Sequence, residues 1–153
     1  MSTNDKLSSW PLIQIIQIGL VRDALPDTDR VNISKPSNVV PHLGHIKNSD
    51  KEHFVVLCLN ARNQINTIET VSVGTLNASL VHPREVFKAA ILQNSASIIL
   101  AHNHPSDDVT PSREDLELNK RMVDAGEIMG IEVLDHLIVG PERFLSLKEA
   151  GVF

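Results

Sequence analysis

The chain is poor in cysteine, in aromatic side chains and in basic residues. Its one cysteine, Cys58, cannot form a disulfide within the chain, which argues against a disulfide-stapled secreted domain. Tyrosine is absent and aromatic residues make up 3% of the chain, so a core has to be built from aliphatic side chains. Cys58 lies in an apolar run, and we expect it to belong to that core.

Long apolar runs are missing as well. The stretch PLIQIIQIGLV is interrupted by two glutamines and is too short to cross a bilayer. No basic segment followed by an apolar run and a cleavage site indicates a signal peptide. We therefore expect a soluble cytoplasmic protein without membrane contact. Residues 1–30 are expected to form an N-terminal extension, in which Leu12–Val21 has the composition of a strand or a short helix.

The shortage of basic residues bears on the kind of partner. Fourteen Lys and Arg face nineteen Asp and Glu, for a net charge of −5. Broad binding to a nucleic-acid backbone needs a concentrated basic surface, which this balance disfavours. A chain of 153 residues with 42% hydrophobic residues suits one domain with a substantial core.

Strand-like and helical patterns alternate along the chain. The runs HFVVLCL and INTIETVSVG flank a short polar turn and predict a hairpin. Two amphipathic helices, a buried strand SASIILAH between them and a last strand IEVLDHLIVG are predicted next, whereas SKPSNVVPHLGHI could open a short helix. The apolar helix positions are Val86, Phe87, Ala90 and Ile91 in the first helix, and Leu118, Met122, Ala125 and Met129 in the second. This alternation is typical of an α/β layered domain.

The chemistry concentrates in the stretch AHNHPSDDVTPSRED. His102 and His104 are two residues apart at the end of a predicted strand, so their side chains share one face. Asp115 lies in the first turn of the next helix. Two imidazoles and one carboxylate are a three-ligand set for zinc that leaves a fourth position open for a water. Such a water is a nucleophile near neutral pH, and a glutamate general base would complete the site.

Simpler interpretations stand beside this one. His102 and His104 could be two exposed loop histidines, and Ser112 with Asp115 matches a helix capping box. The residues alone do not decide which glutamate acts as the base. The candidates are Glu52, Glu69, Glu85, Glu114 and Glu117.

These residues resemble a known family. His102-x-His104-Pro105 followed by Ser112-x-x-Asp115 is similar to the JAMM (MPN+) metalloprotease signature. The surrounding segments GTLNASLVHPREVFKAAI, AHNHPS, TPSRED and LDHLIVG resemble the RadC family, which carries a JAMM domain. The likeness covers roughly Ile33 to Phe153, and we expect the domain to span residues 31–153. The helix-hairpin-helix region of longer RadC proteins has no counterpart, so we expect a short stand-alone form.

The resemblance implies a fold and a site. The fold is a three-layer, cytidine-deaminase-like (JAMM/MPN) α/β arrangement with a mixed sheet flanked by helices. The metal is Zn²⁺, held by His102, His104 and Asp115, while Ser112 helps to hold the oxyanion. The catalytic glutamate lies at the start of an early strand, which selects Glu52 over Glu85.

The resemblance also implies a function. It is hydrolysis of peptide or isopeptide bonds in an unknown protein or peptide substrate, with DNA repair associated by family only. The alternative is a non-catalytic MPN-type binding module that acts with protein or DNA partners. Nucleobase deamination is disfavoured, because its H-x-E and P-C-x-x-C motifs are absent.

One position departs from the family pattern. RadC proteins usually read HNHPSG, and this chain has Asp107 in place of the glycine. If that glycine supports a positive φ, aspartate is one of the better substitutes for it. Among the remaining polar residues, we expect His136 to be a satisfied structural histidine and His82 to act at a helix start.

Overall fold

The computed structural model describes residues 31–74 and 81–153. The predicted N-terminal extension, with its strand or helix at Leu12–Val21, lies outside these ranges. The described residues form five strands and three helices. They are β1 Glu52–Leu59, β2 Ile65–Gly74, β3 Ser97–Asn103, β4 Glu132–Val139, β5 Phe144–Ser146, α1 Gly44–Lys47, α2 Pro83–Leu92 and α3 Arg113–Met129. Within these ranges, no helix has both the length and the apolar character needed to cross a bilayer.

The strands form one mixed sheet in the order β2-β1-β3-β4-β5. The predicted hairpin is confirmed, with β1 antiparallel to β2. On its other edge β1 pairs antiparallel with β3, and β3 runs parallel to β4. A parallel pair needs a long crossover, which α3 supplies. The crossover places the first turn of α3 near the end of β3, where His102 lies.

Helices or helical turns cover both faces of the sheet. On one face α2 and α3 bury an aliphatic core around Phe54, Leu100 and Met122. On the other face α1 and two 3₁₀ turns, Pro36–Asn38 and Val40–Leu43, close a second core. The result is the three-layer α/β architecture that the sequence resemblance implies. The short helix expected near residues 34–46 is instead divided into these three short turns.

The buried faces of the two long helices differ in part from the predicted faces. In α2, Val86, Phe87 and Ala90 are buried as expected, but Ile91 is 52% exposed. In α3, Leu118 and Met122 are buried, whereas Met129 is 48% exposed. Gly126 takes the buried place near the end of α3. A Cβ there would lie 2.5 Å from the Ile131 carbonyl oxygen, so the glycine lets β4 pack closely against the helix.

Candidate metal centre

His102 and His104 converge at the end of β3. His102 is fully buried and His104 is partly buried. Their Nε2 atoms lie 3.0 Å apart, so the two rings aim at one point on the α3 side of the sheet. Phe54 in the neighbouring strand stacks against His102, with ring centroids 6.1 Å apart and planes inclined by 13°. The i, i+2 spacing therefore brings the two imidazoles together, as the sequence predicted.

Asp115 completes the cluster from the first turn of α3. Its Oδ1 lies 3.3 Å from His102 Nε2 and its Oδ2 lies 3.5 Å from His104 Nε2. One ligand atom from each of these three side chains lies within 4.8 Å of the others, a spacing that could hold a metal ion. The three predicted ligands are thus grouped, although the ion itself is not part of the structure.

The capping interpretation of the same residues also holds. Ser112 is the N-cap of α3, and its Oγ accepts a hydrogen bond from the Asp115 amide at 3.1 Å. In return, Asp115 Oδ2 accepts from the Ser112 amide at 2.8 Å. This capping box fixes the Asp115 rotamer and directs the carboxylate toward the histidines. Capping and metal ligation are therefore compatible uses of one side chain.

The hydrogen bond on the side of the His104 ring that faces away from the cluster bears on whether the cluster suits a cation. His104 Nδ1 lies 2.7 Å from the Asp108 carbonyl oxygen, an acceptor only, so Nδ1 carries the proton. In its neutral form the ring then presents the Nε2 lone pair to the cluster. Two imidazole nitrogens beside a buried carboxylate are a donor set that zinc favours. A backbone carbonyl behind a histidine is a usual support for a metal ligand.

The charges at the cluster are strongly coupled. Burial would by itself raise the pKa of Asp115, but the contacts with His102 and His104 hold that pKa far below its usual range. The Asp115 carboxylate in turn raises the pKa of His104, and Glu52 contributes to that rise. Asp115 is therefore ionised at neutral pH, as a metal ligand has to be.

An open cavity of about 590 Å³ gives access to the cluster. Its lining includes His104, Asp115, Ser112 and Glu52, together with Asp108 and Glu114. Glu52 is the first residue of β1, two residues before Phe54, so it shares the sheet face of His102. Glu85 lies elsewhere, on the exposed surface of α2, where Lys88 Nζ contacts its Oε2 at 2.9 Å. The cavity therefore contains the glutamate that the resemblance selects.

Asp107 fits the backbone that the family glycine would adopt. Its φ is +63°, in the left-handed region. Its Oδ1 also accepts hydrogen bonds from the amides of Glu142 (3.0 Å) and Arg143 (3.1 Å) in the turn between β4 and β5. The side chain thus ties the loop after His104 to the β4–β5 turn at the same end of the sheet, a contact that glycine could not make.

Two buried polar residues lie beside the cluster, and the sequence did not predict their contacts. His136 is fully buried on β4, and its Nε2 lies 2.8 Å from His102 Nδ1. The expectation of a satisfied structural histidine is wrong in part, because His136 Nδ1 has no hydrogen-bond partner among the described residues. Asn103, between the two histidines, is also fully buried. Predicting the contact between His136 and His102 would have required the register between β3 and β4, in which Leu100 pairs with His136.

Local structure accounts for three other residues, namely His82, Arg113 and Cys58. His82 is the N-cap of α2 and its ring accepts a hydrogen bond from the Arg84 amide, as expected for a helix start. Arg113 is exposed and pairs with Glu117 along α3. Cys58 is fully buried, and burial raises the pKa of its thiol to about 11.

Comparison with known proteins agrees with this arrangement. A family model described as a RadC-like JAB domain matches residues 33–152. The chain belongs to the RadC-like JAB domain family. Relatives carrying this domain include a UPF0758 protein of Desulforamulus reducens, 51% identical over 138 residues, or 90% of this chain and 61% of the relative. The UPF0758 protein of Rubrobacter xylanophilus is 58% identical over 121 residues, or 78% of this chain and 53% of the relative.

A third relative, the UPF0758 protein TTE0897 of Caldanaerobacter subterraneus subsp. tengcongensis, is 54% identical over 126 residues. The match covers 82% of this chain and 54% of the relative. The chain therefore spans between half and two thirds of the length of these curated relatives. The names of these relatives state no activity.

Proposed function

We propose that this RadC-like JAB domain is a zinc-dependent hydrolase of amide bonds in a protein or peptide substrate. The observation that carries the proposal is the convergence of His102, His104 and Asp115, because the last two of these residues line an open cavity. Zinc held by these residues would polarise the scissile carbonyl and bring a water to ionise near neutral pH. The remaining chemistry falls to side chains of the chain itself.

Glu52 is the proposed general base. A carboxylate in the cavity wall can take a proton from the attacking water and deliver it to the leaving nitrogen. Glu52 suits this task because it lies on a strand end, and its charge acts on the neighbouring His104. A base fixed on a strand keeps a constant geometry, which proton transfer requires.

Ser112 is the proposed oxyanion donor. Its Oγ accepts the Asp115 amide through a lone pair, and a hydroxyl that accepts still has its O–H to donate. Because Ser112 lines the same cavity, that O–H can meet the oxygen of a carbonyl under attack. Removal of one oxyanion donor typically costs about 10²–10³-fold in kcat.

The charge of the cavity favours a peptide over a nucleic acid. Four of its lining residues are carboxylates, namely Glu52, Asp108, Glu114 and Asp115. A zinc ion would offset part of this charge, but the rim would still repel a phosphate backbone. This charge counts against the DNA-binding form of the alternative, a non-catalytic binding module. Salt-dependent retention of the protein on DNA would favour that alternative.

The first experiment measures metal. Untagged protein purified without chelators is analysed by elemental mass spectrometry beside His102→Ala and Asp115→Asn. Asn at position 115 keeps an acceptor for the Ser112 amide and so preserves the helix cap, while it loses the ligand charge. We expect about one zinc per chain, lost in both variants. A native protein that takes up no zinc even in excess would contradict the proposed function.

The second experiment measures hydrolysis. Zinc-loaded protein is incubated with a complex peptide mixture, and new peptide termini are identified by mass spectrometry. Glu52→Gln should abolish new termini while zinc content is unchanged. Glu85→Gln is the matched control, since Glu85 lies on the exposed surface of α2. Equal activity in wild type and Glu52→Gln would remove Glu52 from the mechanism.

A further inference from the structure

Asn103 lies between the two histidines but faces away from them. Alternation along β3 sends its side chain to the opposite face of the sheet from His102. The residue is fully buried, so both ends of its amide need partners inside the protein. Those partners lie on one short segment, at the start of β1.

The amide of Asn103 bonds to the two peptide groups that flank Glu52. Its Oδ1 accepts a hydrogen bond from the His53 amide at 2.6 Å. Its Nδ2 donates to the Lys51 carbonyl at 2.9 Å and approaches the Ser49 carbonyl at 3.5 Å. The backbone immediately before and after Glu52 is thus attached to the strand that carries the histidines.

The ladder between β1 and β3 explains why a side chain takes this place. The last pair of that ladder is Phe54 with His102. Asn103 and His53 would form the next pair of this ladder, but the His53 amide donates to the Asn103 side chain instead of its backbone. Beyond that point the His104 amide donates to the Val139 carbonyl on β4. The first residues of β1 still pair with β2 on their other edge. On the β3 edge, the side chain of Asn103 provides hydrogen bonds to β1 where the backbone ladder stops.

Asparagine suits this place chemically. Its side chain carries one acceptor and a pair of donors in a planar group, which reproduces a peptide group. Aspartate would keep the acceptor for His53 but turn a second oxygen toward the Lys51 carbonyl. Alanine would leave the His53 amide and the Lys51 carbonyl without these partners.

We propose that Asn103 is a positioning residue that fixes the Glu52 carboxylate relative to the metal ligands. The inference rests on the proposed function, in which Glu52 is the base. In this arrangement one strand, β3, positions both the metal ligands and the general base. His102 and His104 supply ligands on one face, and Asn103 holds the backbone of the base from the other.

The test uses cobalt as a spectroscopic probe in the full chain. Co²⁺ commonly replaces zinc, and its visible absorption follows ionisation around the ion. A carboxylate held beside the ion opposes loss of a proton there, so removing it should lower the spectral midpoint by about one pH unit. Wild type, Glu52→Gln and Asn103→Ala are titrated, with Asn119→Ala as control because Asn119 is a buried asparagine (2% exposed) within α3.

We expect Asn103→Ala to shift the midpoint in the same direction as Glu52→Gln, with Co²⁺ affinity within threefold of wild type. Asn119→Ala should keep the wild-type midpoint. In addition, the His53 amide should exchange with solvent at least tenfold faster in Asn103→Ala but not in Glu52→Gln. If Asn103→Ala does not fold, Asn103→Leu keeps a similar side-chain volume without adding a charge and should shift the midpoint the same way.

The outcomes separate the two proposals. A wild-type midpoint in Asn103→Ala, with a shifted one in Glu52→Gln, would overturn the positioning role and leave the base role of Glu52 intact. An unshifted midpoint in Glu52→Gln would contradict the base role, and the positioning proposal would fall with it. A tenfold or greater loss of Co²⁺ affinity in Asn103→Ala would make Asn103 a support of the ligands, which also overturns the proposal.

Discussion

The aspartate that replaces the family glycine should stabilise the fold measurably. Asp107 accepts hydrogen bonds from two backbone amides, those of Glu142 and Arg143, and its side chain is 28% exposed. Hydrogen bonds to charged groups contribute about 1.5–3 kcal/mol each when buried, so we take about 2 kcal/mol for this partly exposed pair. Alanine at the observed φ of +63° would add strain of about 1–2 kcal/mol.

These hydrogen-bond and strain contributions predict the order of destabilisation for three substitutions. Asp107→Asn keeps an acceptor oxygen and tolerates the left-handed backbone, so its cost should be about 1 kcal/mol or less. Asp107→Gly loses both hydrogen bonds without strain, at about 2 kcal/mol. Asp107→Ala loses the bonds and gains the strain, at about 3–4 kcal/mol. The assay is urea unfolding followed by circular dichroism, with the free energy of unfolding extrapolated to water.

A double-mutant cycle makes the test specific to this pair of residues. A Cβ at Gly140 would overlap Asp107 Oδ1 and lie 2.8 Å from the Asp107 Cα. Gly140→Ala should therefore destabilise the wild type. In the Asp107→Gly background it should destabilise by about 1 kcal/mol less, because the overlap with the carboxylate is gone and only the crowding against the backbone of residue 107 persists. Equal costs of Gly140→Ala in both backgrounds, or a glycine variant less stable than the alanine variant, would refute this reasoning.

Two further outcomes follow from buried groups. Because His136 Nε2 faces His102 Nδ1, His136→Leu should weaken zinc binding by about 10–100-fold in a competition titration. His136→Gln restores an acceptor and should recover part of this loss. Equal zinc affinity in wild type and the leucine variant would show that the contact does not support the ligand. Burial raises the pKa of Cys58 to about 11, above its unfolded value, so the unfolded chain loses the thiol proton first and stability should fall as pH rises from about 8.5 toward 11. At pH 10 the loss should be about 1–2 kcal/mol relative to Cys58→Ala, measured by urea unfolding, and parallel pH profiles of the two proteins would contradict it.

The fold was predictable where local patterns carried it. The β1–β2 hairpin, both long helices and the strands β3 and β4 correspond to periodicities and turn signals visible in the sequence. Errors fell at helix ends. Helical spacing predicts that Met129 lies on the buried face of α3, but Gly126 is buried instead because the helix closely approaches Ile131 there. This close approach is a tertiary constraint, and spacing along one helix does not contain it.

The candidate site divides in the same way. The three grouped ligand residues lie at short, fixed spacings, so sequence reasoning could find them. Asn103 and His136 act through pairings between strands, which depend on register. A buried polar residue between two candidate ligands was the available signal for Asn103. The loop bond of Asp107 to the β4–β5 turn joins residues 35 positions apart, and no local pattern announces it.

The contacts that stabilise the motif structurally are also the contacts that orient its proposed metal ligands. Asp115 can point at the histidines because Ser112 binds its carboxylate into a capping box. His104 can offer its Nε2 because the loop that Asp107 anchors brings the Asp108 carbonyl to its Nδ1. Each interaction would stabilise the fold without a metal, and each also removes a freedom that a ligand would otherwise lose on binding. A variant that breaks a cap or a loop bond should therefore lose metal affinity as well as stability, and the two losses should rise together across the series.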